Sequence, residues 1–163
     1  MGTRSFKALA VLAALLGPAA LGLAPASAQD APVPTPEARA EAAGLAIVVA
    51  ADQTLDEFQW IARPLVVFAD SPSDPRYIQQ MEYIGARAGD LATRDVVVIT
   101  DTDPAARTPI REELRPRGFD IVLIGKDGFK YLRKPSPWDV REISRSIDKM
   151  PMRQQELRDL RGK

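Results

Sequence analysis

A short apolar run between polar fences constrains this chain more than any other feature. Leu65-Val66-Val67-Phe68-Ala69 is bounded by Pro64 and Asp70. An unbroken apolar stretch of this length suits a strand buried on both faces, as at the centre of a parallel sheet. Asp74-Pro75 follows, an N-cap and a first-turn proline. The spacing therefore predicts a strand, a polar turn over 70–74 and a helix from Pro75. In open α/β sheets a ligand crevice lies where such a strand ends and its helix begins.

The flanking residues extend the alternation. Residues 45–51 form an apolar, partly β-branched run, a first strand. Thr54-Leu55-Asp56-Glu57 is a capping box opening a short helix, with Leu55, Phe58 and Ile61 as its apolar stripe and Trp60 as a packing residue. From Pro75, Ile78, Met81 and Ile84 recur at helical spacing, and Gly89 is the expected stop. Residues 95–100 read as a second buried strand leading into the turn Asp101-Thr102-Asp103-Pro104. Thr108-Pro109 starts a helix that Pro116 ends, and 120–124 is a third core strand. Gly125-Lys126-Asp127-Gly128 is a hairpin turn that returns 129–133 antiparallel. Ser136-Pro137-Trp138-Asp139 opens the last helix, amphipathic through Val140, Ile143, Ile147 and Met150 and closed by Pro151. Trp138 is expected to staple that helix to the hairpin. The order β-α-β-α-β-α-β-β-α is that of thioredoxin: an α/β, three-layer fold with a mixed sheet, its parallel part joined by right-handed crossovers.

The first 28 residues have the form of an export leader. Arg4 and Lys7 precede an apolar stretch, and Ala26-Ser27-Ala28 is a small-x-small cleavage site. Gly17, Pro18, Gly22 and Pro25 interrupt the apolar run before it reaches the ~20 residues of a membrane span. The expected division is a signal peptide over 1–28, a Pro/Ala-rich linker over 29–43, one compact domain over 44–151 and a charged tail over 152–163. The mature chain, without a transmembrane anchor, would be periplasmic or secreted. Removing 28 of 163 residues takes away two basic and no acidic side chains, so 20 basic against 22 acidic residues leave a net charge of −2. A near-neutral chain does not suit nucleic acid as a partner.

Two absences narrow the chemistry. With no cysteine there is no disulfide, thiol nucleophile or thiolate metal site. With no histidine there is no imidazole base and no histidine-ligated zinc. Thiol oxidoreductase, thiol peroxidase and Ser-His-Asp hydrolase readings lose their reactive group, and no cofactor is expected.

Four segments carry a family resemblance: 63–69 with its Arg-Pro start, 94–99, the run 118–128 with its Lys-Asp-Gly hairpin, and Pro137-Trp138-Asp139-Val140. Together they resemble the DUDES-type domain, a thioredoxin-like domain of unknown function found in exported bacterial proteins and secreted vertebrate matrix proteins. The resemblance covers roughly residues 60–151 and implies a fold and an extracytoplasmic setting, with no catalytic residue to carry over. The turn after the central strand lacks a Cys-x-x-Cys pair, and Asp120 stands where thioredoxins place a cis-proline, so both halves of a redox site are missing.

If the order is that of thioredoxin, the turns after the first two core strands lie side by side. The candidate crevice is then Asp70, Ser71, Asp74, Arg76, Asp101, Asp103 and Asp120. Asp70, Asp74, Asp101 and Asp103 are weak candidates for Mg²⁺ or Ca²⁺ through oxygen ligands; alternatively Asp74 caps its helix and the others solvate turns. Arg76 can hold an anion with the helix N-terminus, or pair with Asp74. With five carboxylates against one guanidinium, the charge balance favours a cationic guest. Lys126, Lys130, Arg133 and Lys134 on the hairpin either contact a polyanion or protein, or protect an edge strand from aggregation. The functional expectation is a non-catalytic binding or interaction module of the cell envelope, whose partner is an envelope or extracellular protein or a polyanion. The alternatives are a metal-dependent enzyme using the aspartates, or an accessory to oxidative-stress defence.

Overall fold

The computed structural model describes residues 33–162. The expected leader, its cleavage site and the linker up to Pro32 lie outside the described residues. The chain forms an α/β fold around one five-stranded mixed sheet, with elements α1 (Pro36–Ala42), β1 (Ala46–Val49), a 3-10 helix (Leu55–Phe58), β2 (Arg63–Phe68), α2 (Pro75–Ala86), α3 (Ala88–Ala92), β3 (Val96–Asp101), a second 3-10 helix (Pro104–Ala106), α4 (Pro109–Leu114), β4 (Asp120–Ile124), β5 (Lys130–Lys134), α5 (Val140–Asp148) and α6 (Pro151–Arg161). The strand order is β1-β3-β2-β4-β5. β1, β3 and β2 run parallel, β4 is antiparallel to β2, and β5 closes the hairpin.

β2 is the centre, as its apolar run demands, and all six of its residues are buried. Alternate side chains point to opposite faces. Leu65, Val67 and Ala69 meet α1, α2, α3 and α5, whereas Val66 and Phe68 meet α4 and the first 3-10 helix. Burying a side chain such as Phe68 contributes about 1.5–3 kcal/mol. Pro64 is tolerated because the antiparallel register with β4 starts only at Leu65.

Local signals place most helix starts. Asp74 accepts from the Arg76 N–H at 2.9 Å, Thr108 from the Arg111 N–H at 3.1 Å, and Glu57 from the Thr54 N–H at 2.9 Å. The last capping box opens one 3-10 turn. In the hairpin turn Gly128 takes φ +81, a conformation costly for side chains with a Cβ.

Several expectations change. The linker expected over 29–43 contains a helix, α1, because Thr35 caps it and Ala40 is buried against the core. It packs on α2 so closely that a Cβ at Gly85 would lie 2.6 Å from Pro36 Cα. The helix from Pro75 breaks at Ala86, and Gly89 lies inside α3. Ile78 faces solvent, while Met81 and Ile84 are buried. α5 starts at Val140, capped by Asp139 and not by Ser136. Pro151 begins α6, so the charged tail is helical. Trp60 is not a packing residue: its backbone is left-handed at φ +66, its N–H donates to Lys126 O at 2.7 Å, and the residue is 65 % exposed. Trp138 packs against the core with Lys134 Nζ 4.1 Å from its ring centroid. Among the described residues no helix is long and apolar enough to cross a membrane.

Candidate functional site

The parallel strands end where the sequence placed the crevice. Ala69 N–H donates to Asp101 O at 2.9 Å, so the turns after β2 and β3 are neighbours. The seven candidate residues nevertheless divide into three groups. Asp70, Ser71, Asp74 and Arg76 form the turn into α2 and line a shallow cavity of about 460 Å³. Asp101 and Asp120 lie in register on either side of Phe68, on the face that α4 covers. Asp103 caps the second 3-10 helix through the Ala105 N–H at 2.9 Å.

Asp101 is a strand residue with its side chain 1 % exposed. Thr108 Oγ1 donates to its Oδ2 at 2.7 Å, and Arg111 donates to its Oδ1 through Nε at 3.0 Å and Nη2 at 2.7 Å. Arg111 Nη2 also reaches Ala69 O at 2.9 Å, and the guanidinium lies over the Phe68 ring at 5.3 Å. Thr108, which caps α4, thus aims Arg111 from the same helix turn.

Asp120 is answered in the same way from the hairpin. Arg133 Nε donates to its Oδ2 at 2.7 Å, and Arg133 Nη1 and Nη2 donate to Leu114 O and Arg115 O at 2.9 and 3.2 Å. The last carbonyls of α4 are thereby satisfied by β5. Asp120 Oδ1 is buried with no hydrogen-bond partner. Arg76 spends its guanidinium on Asp74, through Nε at 3.1 Å and Nη2 at 2.7 Å, and stacks 5.5 Å above Phe119. That hydrogen bonding holds the Asp74 carboxyl below its usual range.

Three of the five carboxylates, Asp74, Asp101 and Asp120, are therefore answered by arginines within the fold. Among the described residues no three acidic side chains gather in a metal-holding group. Asp70 and Asp103 remain exposed and in no ion pair among the described residues, so the open charge near the strand ends is mixed in sign. A groove of about 570 Å³ is lined by Arg115, Arg117, Phe119, Asp120, Arg133 and Pro135. Arg115 and Arg117 are exposed, and no ion pair engages either side chain among the described residues. Arg115 holds a left-handed backbone, φ 49, where α4 ends. The sequence reading passed over Arg111, Arg115 and Arg117. The available signal was three arginines within seven residues spanning a helix end at Pro116.

The hairpin cations do not form one basic edge. Lys126 Nζ turns away to Asp95 at 2.7 Å and Glu156 at 3.1 Å. Lys130 lies 3.6 Å from Glu113, and Arg133 belongs to Asp120. At this opposite end of the sheet Arg63, 1 % exposed, donates to Arg94 O and Glu156 Oε1, both at 2.8 Å. Burial would raise the Glu156 pKa, but hydrogen bonds from Arg63, Lys126 and Arg153 outweigh it and hold it at about 2.

A family model for a domain of unknown function, DUF4174, matches residues 54–156, more than half of the chain. The chain belongs to the DUF4174 family. The match runs from the Thr54 cap to Glu156, so the DUF4174 segment contains the strand-end pairs, the arginine groove and both partners of the Arg63–Glu156 contact. It leaves α1 and β1 outside. Comparison with curated proteins finds no match.

Proposed function

We propose that this protein is an exported, non-catalytic binding module of the cell envelope, built on a thioredoxin-like, DUDES-type fold, and that it holds an anionic group of its partner in the arginine groove. The observation that carries this reading is the pair of exposed, unpaired guanidiniums of Arg115 and Arg117 beside Arg133. Guanidinium forks suit carboxylate and phosphate oxygens, which they bind in bidentate fashion. The neighbouring groups favour holding over turnover. A general base needs a free lone pair within reach of substrate, and both oxygens of Asp101 are engaged by Thr108 and Arg111. At the groove wall Arg133 occupies Oδ2 of Asp120, and the partnerless Oδ1 is buried, out of a substrate's reach. Export rests on the Arg4/Lys7, apolar and Ala26-Ser27-Ala28 succession.

Titration of ¹⁵N-labelled protein with citrate and with inorganic phosphate tests the groove. Amide shifts are expected over 115–120 and at Arg133, weakening as salt is raised. The double variant Arg115→Ala/Arg117→Ala should lose them. Shifts confined to the turn 70–76 on adding Mg²⁺, or to the hairpin 126–134, would overturn the reading.

A further inference from the structure

The two terminal strands of the sheet are protected unequally. β5 carries Lys130, Arg133 and Lys134, and a register shift at Leu123/Ile124 accompanies its pairing with β4. β1 is Ala46-Ile47-Val48-Val49, with no charge, proline or bulge, and its pairing is to β3 alone. Exposed strand edges present unpaired N–H and C=O groups that accept another strand, and charges, prolines and bulges are the usual guards. Among the described residues the one guard on β1 is its length of four residues. Val49 is 71 % exposed.

A cleft of about 510 Å³ opens beside this edge, between β1, α1 and α2. Its floor is apolar, from Leu45, Ile47 and Met81, with Tyr77 at the side. Its rim carries Glu37 and Glu41, one helical turn apart on α1. Both are exposed, and no ion pair engages them among the described residues.

We infer that the outer edge of β1 takes up an extended segment of a partner protein as a sixth strand, with a lysine or arginine of that segment held by Glu37 and Glu41. Main-chain hydrogen bonds supply affinity in this mode, and pockets for alternate side chains supply selectivity. The apolar floor takes one side chain of the added strand, and the acidic rim sets the charge of another. The same rim argues against a second copy of this chain. Antiparallel pairing of β1 with β1 about a two-fold axis would keep both α1 helices on one face and bring two more unpaired carboxylates to the seam, an arrangement that disfavours association. This surface lies outside the arginine groove, and β1 and α1, though not Tyr77 and Met81, lie outside the matched family span.

The test uses a capped octapeptide alternating valine and threonine with one central lysine. Added to ¹⁵N-labelled protein, it should shift the amides of Ala46–Val49 and of α1. Methylating the peptide nitrogens at alternate positions removes donors without touching the protein, and should abolish binding. Replacing the lysine by norleucine should weaken binding about tenfold, and Glu37→Gln/Glu41→Gln should weaken the lysine peptide equally while leaving the norleucine peptide unaffected. Equal binding of the methylated peptide, shifts away from β1, or no shift at millimolar peptide would overturn the inference. So would a dimer in sedimentation equilibrium of the protein alone that Val49→Lys dissolves, since the edge would then belong to a second copy.

Discussion

The two ends of the sheet solve one problem with opposite signs. At the end where the parallel strands finish, the buried groups are carboxylates, Asp101 and Asp120, and the partners that reach them are arginines from α4 and β5. At the base the buried group is a guanidinium, Arg63, and the partner is a carboxylate from α6. Isolated charges are costly to bury, and a matched, hydrogen-bonded partner offsets that cost. The difference lies in what is left over. At the strand ends Arg111 and Arg133 use their donors inside the fold and Arg115 and Arg117 remain free. At the base Glu156, Asp95 and Lys126 satisfy one another around Arg63, so the charge network closes. One end therefore leaves arginines open to solvent, and the other holds α6.

Arg111→Ala should break this comparison most severely. It strands Asp101, whose side chain is 1 % exposed, without a cation, and removing one partner of a buried pair costs about 3–5 kcal/mol. Chemical denaturation measures it; a loss below about 1 kcal/mol would mean that the pair is not structural.

Glu156→Gln should cost less, about 1–3 kcal/mol, because Asp95 remains 3.8 Å from Arg63. The pH dependence sharpens the point. The Glu156 pKa falls from an ordinary 4.5 to about 2 on folding. A lowered carboxylate pKa gives stability that is present above the unfolded value and lost as pH falls towards the folded one. Wild-type protein should therefore lose this contribution between pH 4.5 and about 2, and the glutamine variant should show a shallower slope in that window. Parallel slopes for the two proteins would remove Glu156 from the account.

Arg115→Ala and Arg117→Ala should change stability least, within about 0.5 kcal/mol each, since each is exposed and unpaired. Thermal melting checks this. A larger loss would place them among the structural arginines and leave the groove without free charge.

What could be read in the chain follows the range of the signal. The apolar run 65–69, the Thr54, Asp74 and Thr108 caps and the Gly125–Gly128 turn depend on residues a few positions apart, and the five-stranded mixed sheet follows from their order. The charge pairs depend on distance in space. Asp101 reads locally as a turn aspartate because its partner, Arg111, lies ten residues on and across a helix cap. Asp120 and Arg133 meet across a hairpin, and nothing local marks Arg63 as buried. A count of five carboxylates against one guanidinium therefore omits Arg111 and Arg133, which answer two of the five. Trp60 was misread for a different reason: a left-handed backbone is rare for a bulky residue, and no neighbouring residue announces it.

The Arg63–Glu156 contact also ties the fold to biosynthesis. Its partners are separated by 93 positions. A chain made from its N-terminus presents Arg63, at the foot of its central strand, long before residue 156 exists. Until α6 arrives, that guanidinium lacks its closest carboxylate, and the base of the sheet cannot shut. A nascent or prematurely ended chain thus differs from a finished one by a guanidinium at the foot of the central strand that only Asp95 and the Arg94 carbonyl answer.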